Sequence, residues 1–196
     1  MKAFRHLILF TASLGSFALL AAPPGPLTYG VQVSLGTPVG GDLPKTTGGM
    51  GMGFGLHATW GVHPLLELRP RLDAVWYSGG SQHATPEGWT HDLHTWVSNL
   101  SVGVDALTPI AYSPISVGVS LQSIRWRVAA TNDLAPATGG QVSHSGTASW
   151  NQVGVGPVAT WRVNPRVELE ARAIFSRYGQ ENEAANTVSI GLLWHF

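Results

Sequence analysis

Hydrophobic and polar residues alternate with a period of two along most of this chain, whereas the 3.6-residue period of a helix is hard to find. In residues 49–62, Met50, Met52, Phe54, Leu56, Ala58, Trp60 and Val62 share one face, and Gly51, Gly53, Gly55, His57, Thr59 and Gly61 share the other. At 65–77, Leu66, Leu68, Pro70, Leu72, Ala74 and Trp76 oppose Glu67, Arg69, Arg71 and Asp73. At 166–178, Val167, Leu169, Ala171, Ala173 and Phe175 oppose Arg166, Glu168, Glu170 and Arg172. The final segment, 186–196, sets Val188, Ile190, Leu192, Trp194 and Phe196 against Ser189, Gly191 and His195. With further strands at 27–36, 92–106, 114–128 and 145–162, the pattern predicts an all-β fold, an eight-stranded antiparallel up-and-down β-barrel.

Alternation alone does not say which face points outward, because a soluble lipocalin-like barrel alternates with its apolar side inward. Three features place the apolar face against lipid and make the barrel a transmembrane one. The polar face is mostly Gly, Ser, Thr, Asn and Gln, small groups that fill a narrow lumen better than they keep a surface in solution. Trp60, Trp161 and Trp194 stand at one end of their strands and Trp76 and Trp96 at the other, the arrangement of interfacial aromatic girdles. The joints at 62–64, 163–165 and 108–113 are short, while those at 37–48, 78–91, 129–144 and 179–185 are longer and polar. Short turns on one side and long loops on the other are the rule for membrane barrels, and an even strand count puts both chain ends on the short-turn side, the periplasm.

The start of the chain is of another kind. Lys2 and Arg5 precede an apolar run from Leu7 to Leu20 and the small residues Ala21 and Ala22, the order of a secretory signal peptide, expected over 1–21. About 14 apolar residues fall short of the ~20 a membrane-spanning helix needs. The expected mature domain is then 22–196, with 9 Lys+Arg against 11 Asp+Glu and no basic surface for nucleic acid. With no Cys, no disulfide framework holds it. Only 11% of the residues are charged and 24 are Gly, a poor composition for a water-covered surface.

Trp60, Val62, Pro64, Glu67, Leu68, Arg71 and Tyr77 recur 101 residues later as Trp161, Val163, Pro165, Glu168, Leu169, Arg172 and Tyr178, each set around a tight turn, with the tyrosines placed to join the upper girdle. This pattern resembles the periplasmic turns of the OmpA/OmpX-like small outer-membrane β-barrel superfamily. Val188, Ile190, Leu192, Trp194 and Phe196 resemble the C-terminal insertion signal of such barrels. The resemblance implies an integral outer-membrane protein surrounded by outer-membrane lipid and lipopolysaccharide. It also implies insertion by the barrel assembly machinery, and a monomer.

With the apolar face outward, the lumen receives Arg69, Arg71, Arg162, Arg166 and Arg172 together with Glu67, Asp73, Asp105, Glu168 and Glu170. Five charges of each sign predict an ion-paired plug, since eight strands leave room for side chains and hardly for a channel. A narrow pore, or a carrier opening sideways into lipid where Pro70 and Pro157 lack a ladder donor, is the alternative. A lipid A-modifying enzyme is a further one, because residues 172–178 resemble the strand of lipid A deacylases that bears their Ser and His. Here Ser176 has no adjacent His to act as its base, so no catalytic residue and no cofactor are expected. His83, His91, His94 and His144 fall in or beside the long loops without tight metal-ligand spacing, and the glycines of 48–55 belong to a strand and make no phosphate cradle. Pro38, Pro44, Pro86, Trp89 and Pro136 mark the long loops as the part that meets other molecules. The expected role is therefore a non-enzymatic envelope protein whose barrel anchors surface loops and serves envelope integrity or surface interaction.

Overall fold

A computed structural model of the chain describes residues 25–39, 47–85, 88–136, 139–178 and 185–196, and among these residues eight strands follow one another with no helix between them. The expected signal peptide, Pro44 and Pro86 lie outside the described residues, as do the side chains of Arg177 and Tyr178. The strands are β1 Leu27–Val39, β2 Thr47–His63, β3 Leu66–Ala84, β4 Trp89–Pro109, β5 Ile115–Pro136, β6 Val142–Asn164, β7 Val167–Tyr178 and β8 Asn186–His195. Each pairs antiparallel with the next, and β1 closes on β8 from Gly30↔His195 to Val39↔Asn186, giving a closed barrel.

The period-two pattern becomes an inside and an outside. In β2, Met52, Phe54, Leu56 and Trp60 are exposed while Gly51, Gly53, Gly55, His57 and Thr59 are buried. This inverts the usual rule that apolar groups go inside, and a continuous apolar belt of that extent is stable only when lipid covers it. Inside, close strand contact depends on glycine at particular places. A Cβ on Gly156 would sit 1.8 Å from the Ala173 carbonyl oxygen, and one on Gly55 would meet the Asp73 carboxylate at 2.2 Å.

Two sequence expectations need correction. The segments 78–91 and 129–144 are largely strand: Gly80↔Thr95 through Ala84↔His91 continue the β3–β4 ladder, and Asn132↔His144 and its neighbours continue β5–β6. They read as loops because both faces meet water there, so alternation, the signal that marked the other strands, is not required. β5 has 22 residues, whereas a tilted strand crosses a bilayer in about 9–11. Strands β3 to β6 therefore rise past the barrel as a four-stranded sheet, while the described residues of β7 and β8, 12 and 10 in number, do not reach that height. Residues 142–151 of β6 pair with β5 on one side and, among the described residues, with no strand on the other. The second correction is Tyr77, which faces the lumen and not the girdle, since its neighbour Trp76 faces out.

Candidate functional site

The lumen is filled in two storeys. The lower one, toward the tight turns, gathers charged residues from β2, β3, β4, β7 and β8. Alternation on β3 sends Arg69, Arg71 and Asp73 inward, that on β7 sends Glu168, Glu170 and Arg172, and Asp105 comes from β4. Arg71 occupies the centre. Its Nε and Nη2 grip Asp73 at 2.6 and 2.9 Å in a fork, and its Nη1 lies 3.0 Å from Asp105 and 3.1 Å from Glu170. Arg172 bridges Asp105 at 2.6 Å and Glu170 at 3.0 Å; Arg69 Nη2 lies 2.7 Å from Glu168, and its Nε donates to the Thr59 hydroxyl at 3.1 Å. Gln32 on β1 accepts from Arg71 and donates to Glu170 at 3.0 Å, which ties the network across the closing seam. Burial in this setting is tolerated because every carboxylate has a guanidinium partner.

The ten expected network residues do not all enter it. Arg162 lies at the rim, its side chain 47% exposed and 3.7 Å from both Glu67 and Glu168. Arg166 departs from expectation: it sits in the β6–β7 turn, exposed, and makes no ion pair among the described residues. Alternation was extended one residue too far into a turn, where Asn164 Oδ1 accepts from the Arg166 and Val167 amides and the strand parity is lost. Four arginines thus face five carboxylates, leaving one carboxylate in excess. Two imidazoles stand beside it. His195 Nε2 is 3.4 Å from Glu168, and His57 Nε2 approaches His195 Nδ1 at 3.4 Å.

The upper storey is apolar, and sequence reasoning missed it. Tyr77, Val97, Ile124, Trp126, Ile174 and Ala185 form a buried cluster, with Val75, Val128 and Trp150 packed against it. Trp126 stacks between Tyr77 and Trp150, with ring centroids 5.7 and 6.4 Å away. The missed signal was parity on β5: Trp126 shares a face with Ser120 and Gln122, so it had to turn inward, and Arg125 and Arg127 outward. Between the storeys lies a cavity of about 50 Å³, lined by Arg71, Asp73, Gln122, Arg172 and Tyr77 among others. That is room for a few waters at most.

The remaining candidates fall at the surface. Trp60, Trp161 and Trp194 are exposed toward the turn end and Trp76 and Trp96 toward the other; Val188, Ile190, Leu192 and Phe196 face outward on or just beyond β8. Ser176 is buried in the lumen, its hydroxyl 2.9 Å from Gln152 Oε1 and against the Ala185 carbonyl, so neither contact supplies a base. Asp92 at the top of β4 meets His83 across the ladder at 2.5 Å. That contact, ahead of the charges on His83, His94 and His91, holds the Asp92 carboxyl below its ordinary range. Among the described residues no group of three or more His, Asp or Glu is placed to hold a metal.

No protein-family model matches the chain, and no curated protein matches it. Among solved structures the barrel is similar to a major outer membrane protein from Thermus thermophilus, at 15% identity and a TM-score of 0.54 over 88% of this chain and 100% of that one. It is also similar to Ail, the attachment invasion locus protein of Yersinia pestis, at 11% identity and a TM-score of 0.51 over 87% and 97%. At such identities the likeness establishes the fold: an eight-stranded membrane barrel.

Proposed function

We propose that this chain is an integral outer-membrane protein of the OmpA/OmpX-like kind, closed through its lumen, that holds the β3–β6 sheet outside the cell as an interaction surface. The observation that carries the reading is the projection of those four strands beyond the lipid-facing belt, with residues 142–151 of β6, unpaired on one side among the described residues, offering an uncharged strand edge free of proline. Natural proteins usually blunt such an edge with charge, proline or a covering element. An open edge instead accepts an extended segment of another protein by strand addition, where backbone hydrogen bonds give affinity. The charged lower storey and the aromatic upper one support a plug and a non-conducting barrel. The similarity to outer-membrane proteins supports the location, and the short turns at one end of the barrel support placing both chain ends in the periplasm.

The test uses the absence of cysteine. A membrane-impermeant maleimide on intact cells is expected to label Ser145→Cys in the projecting sheet and to leave Asn164→Cys at the tight turn unlabelled until the envelope is opened. The reverse labelling would overturn the orientation. Steady conductance of the purified barrel in planar bilayers would overturn the plug.

A further inference from the structure

The arginines whose side chains are described sit in the lumen or at the turns, with two exceptions on one strand. Arg125 and Arg127 of β5 both point outward and are exposed. Neither makes an ion pair or hydrogen bond among the described residues. Two residues apart on one face, they stand about 7 Å from each other.

Their height follows from the ladder. Ile115 pairs with the lower-girdle Trp161, and Arg125 lies ten residues further along β5, about the number a tilted strand needs to cross the hydrocarbon. The outward residues between them change accordingly: Val117, Val119 and Leu121 are apolar, Ser123 is not. Arg127 also shares a ladder row with Trp76 through Ser98, and Trp96 stands one outward position above it on β4. The two guanidiniums therefore lie at the upper membrane boundary, on the side away from the tight turns. Across the strands they face Leu100, Ser98, Asn151 and Ser149, so no carboxylate opposes them.

Directly beneath is a depression of about 420 Å³ in the lipid-facing wall, lined by Val102, Val104, Leu121, Ser123 and Val153. It opens toward hydrocarbon, and its lining is apolar apart from Ser123 and Gln122, whose side chain turns into the lumen. An unpaired cationic pair above an apolar hollow matches an amphiphile with an anionic head and an acyl chain. Arginine suits phosphate in particular, because its planar fork donates two parallel hydrogen bonds. A free phosphate would use only the upper half of this arrangement.

We infer that Arg125 and Arg127, with the hollow below them, bind a phosphate-bearing lipid of the outer leaflet. The phosphate rests on the two guanidiniums and one acyl chain lies along Leu121 and Val153. This deepens the proposed function and rests on its outer-membrane placement.

Native mass spectrometry of the purified barrel in detergent, titrated with diphosphorylated lipid A, provides the test. The wild type is expected to half-saturate at about tenfold lower lipid than the Arg125→Gln/Arg127→Gln variant, since each arginine near an anionic membrane surface adds measurable attraction. Arg125→Lys/Arg127→Lys is expected to fall between them. Diacylglycerol, which has chains and no phosphate, should bind both forms alike, and inorganic phosphate should not displace lipid A from the wild type. Equal half-saturation of wild type and the glutamine variant overturns the site, as does an equal loss with diacylglycerol or displacement by inorganic phosphate. Heat-modifiable gel migration is read on every sample. Its absence in the wild type would defeat the membrane-barrel reading itself, whereas normal migration with equal binding defeats the lipid site alone. If the double variant does not migrate as a folded barrel, Arg127→Gln is titrated in its place, with a smaller shift in the same direction expected.

Discussion

Tyr77 and Trp126 stack inside the barrel with ring centroids 5.7 Å apart and planes inclined by 28°, above its charged layer and at the closure proposed for the lumen. Asn99 Nδ2 donates to the Tyr77 hydroxyl at 3.1 Å, so the polar end of the tyrosine has a partner and its ring can join the apolar cluster.

Removing the larger ring tests this closure. Trp126→Ala is expected to cost about 3–5 kcal/mol, the usual range for emptying a buried aromatic site. The urea midpoint for loss of heat-modifiable migration in lipid vesicles should fall, and single-channel recordings should show conductance events that the wild type lacks. An unchanged midpoint would mean that the ring carries no packing load.

The charge imbalance makes an ordered prediction. Arg71→Met deprives Asp73, Asp105 and Glu170 of their shared partner and widens the excess of negative charge, at an expected cost of about 3–5 kcal/mol. Glu170→Gln cancels the excess and keeps one oxygen to accept from Arg71 and Gln32 while losing the other, so it should cost less than Arg71→Met does, about 1–2 kcal/mol. The same urea series compares them. If Glu170→Gln proved as damaging as Arg71→Met, the count of four arginines to five carboxylates would not govern this layer.

Gly156 faces the lumen beside Pro157, at the stretch of the β6–β7 seam where no residue pairs form between Val155↔Phe175 and Val158↔Arg172. A methyl group there would collide with the Ala173 carbonyl oxygen at 1.8 Å, and backbone on one side must move. Gly156→Ala should therefore lower stability by about 1–3 kcal/mol. Gly146→Ala, with open space around it, should change the midpoint little. The pair is read side by side on unboiled gels.

The His83–Asp92 contact gives a pH dependence with a definite sign. The Asp92 carboxyl is depressed in the folded protein by the hydrogen bond from His83, so its contribution to the β3–β4 tip is complete above the ordinary carboxylate range. That contribution is lost as pH falls through the lowered value. Carbon-detected NMR in nanodiscs should show the Asp92 titration midpoint moving upward in His83→Ala. Because the pair is exposed, global stability should hardly change.

The barrel was legible in the sequence because strand parity is a local property. Once Met52, Phe54 and Leu56 alternate with Gly51, Gly53 and Gly55, one face must be enclosed, and the girdle tryptophans indicate that it is the glycine face. The same rule applied to β5 would have turned Trp126 inward and Arg125 and Arg127 outward. The segment 114–128 reads as a strand without showing its faces, because Ser123 and the two arginines interrupt the apolar side. Parity could not reach Arg166, since a turn interrupts the count.

By itself, then, the sequence determined the strand number, the lipid-facing set and the inward direction of Arg69, Arg71, Glu168, Glu170 and Arg172. Which of these charges touch was decided only by the closed ring, because Arg71 meets Glu170 across 99 positions of chain and Gln32 meets it across 138. Strand pairing and barrel closure fix the relative height of residues so far apart, and local alternation holds no information about height. The same cause explains the projecting β3–β6 sheet: above the lipid, ladder hydrogen bonds alone continue the strands, and no side-chain pattern announces them.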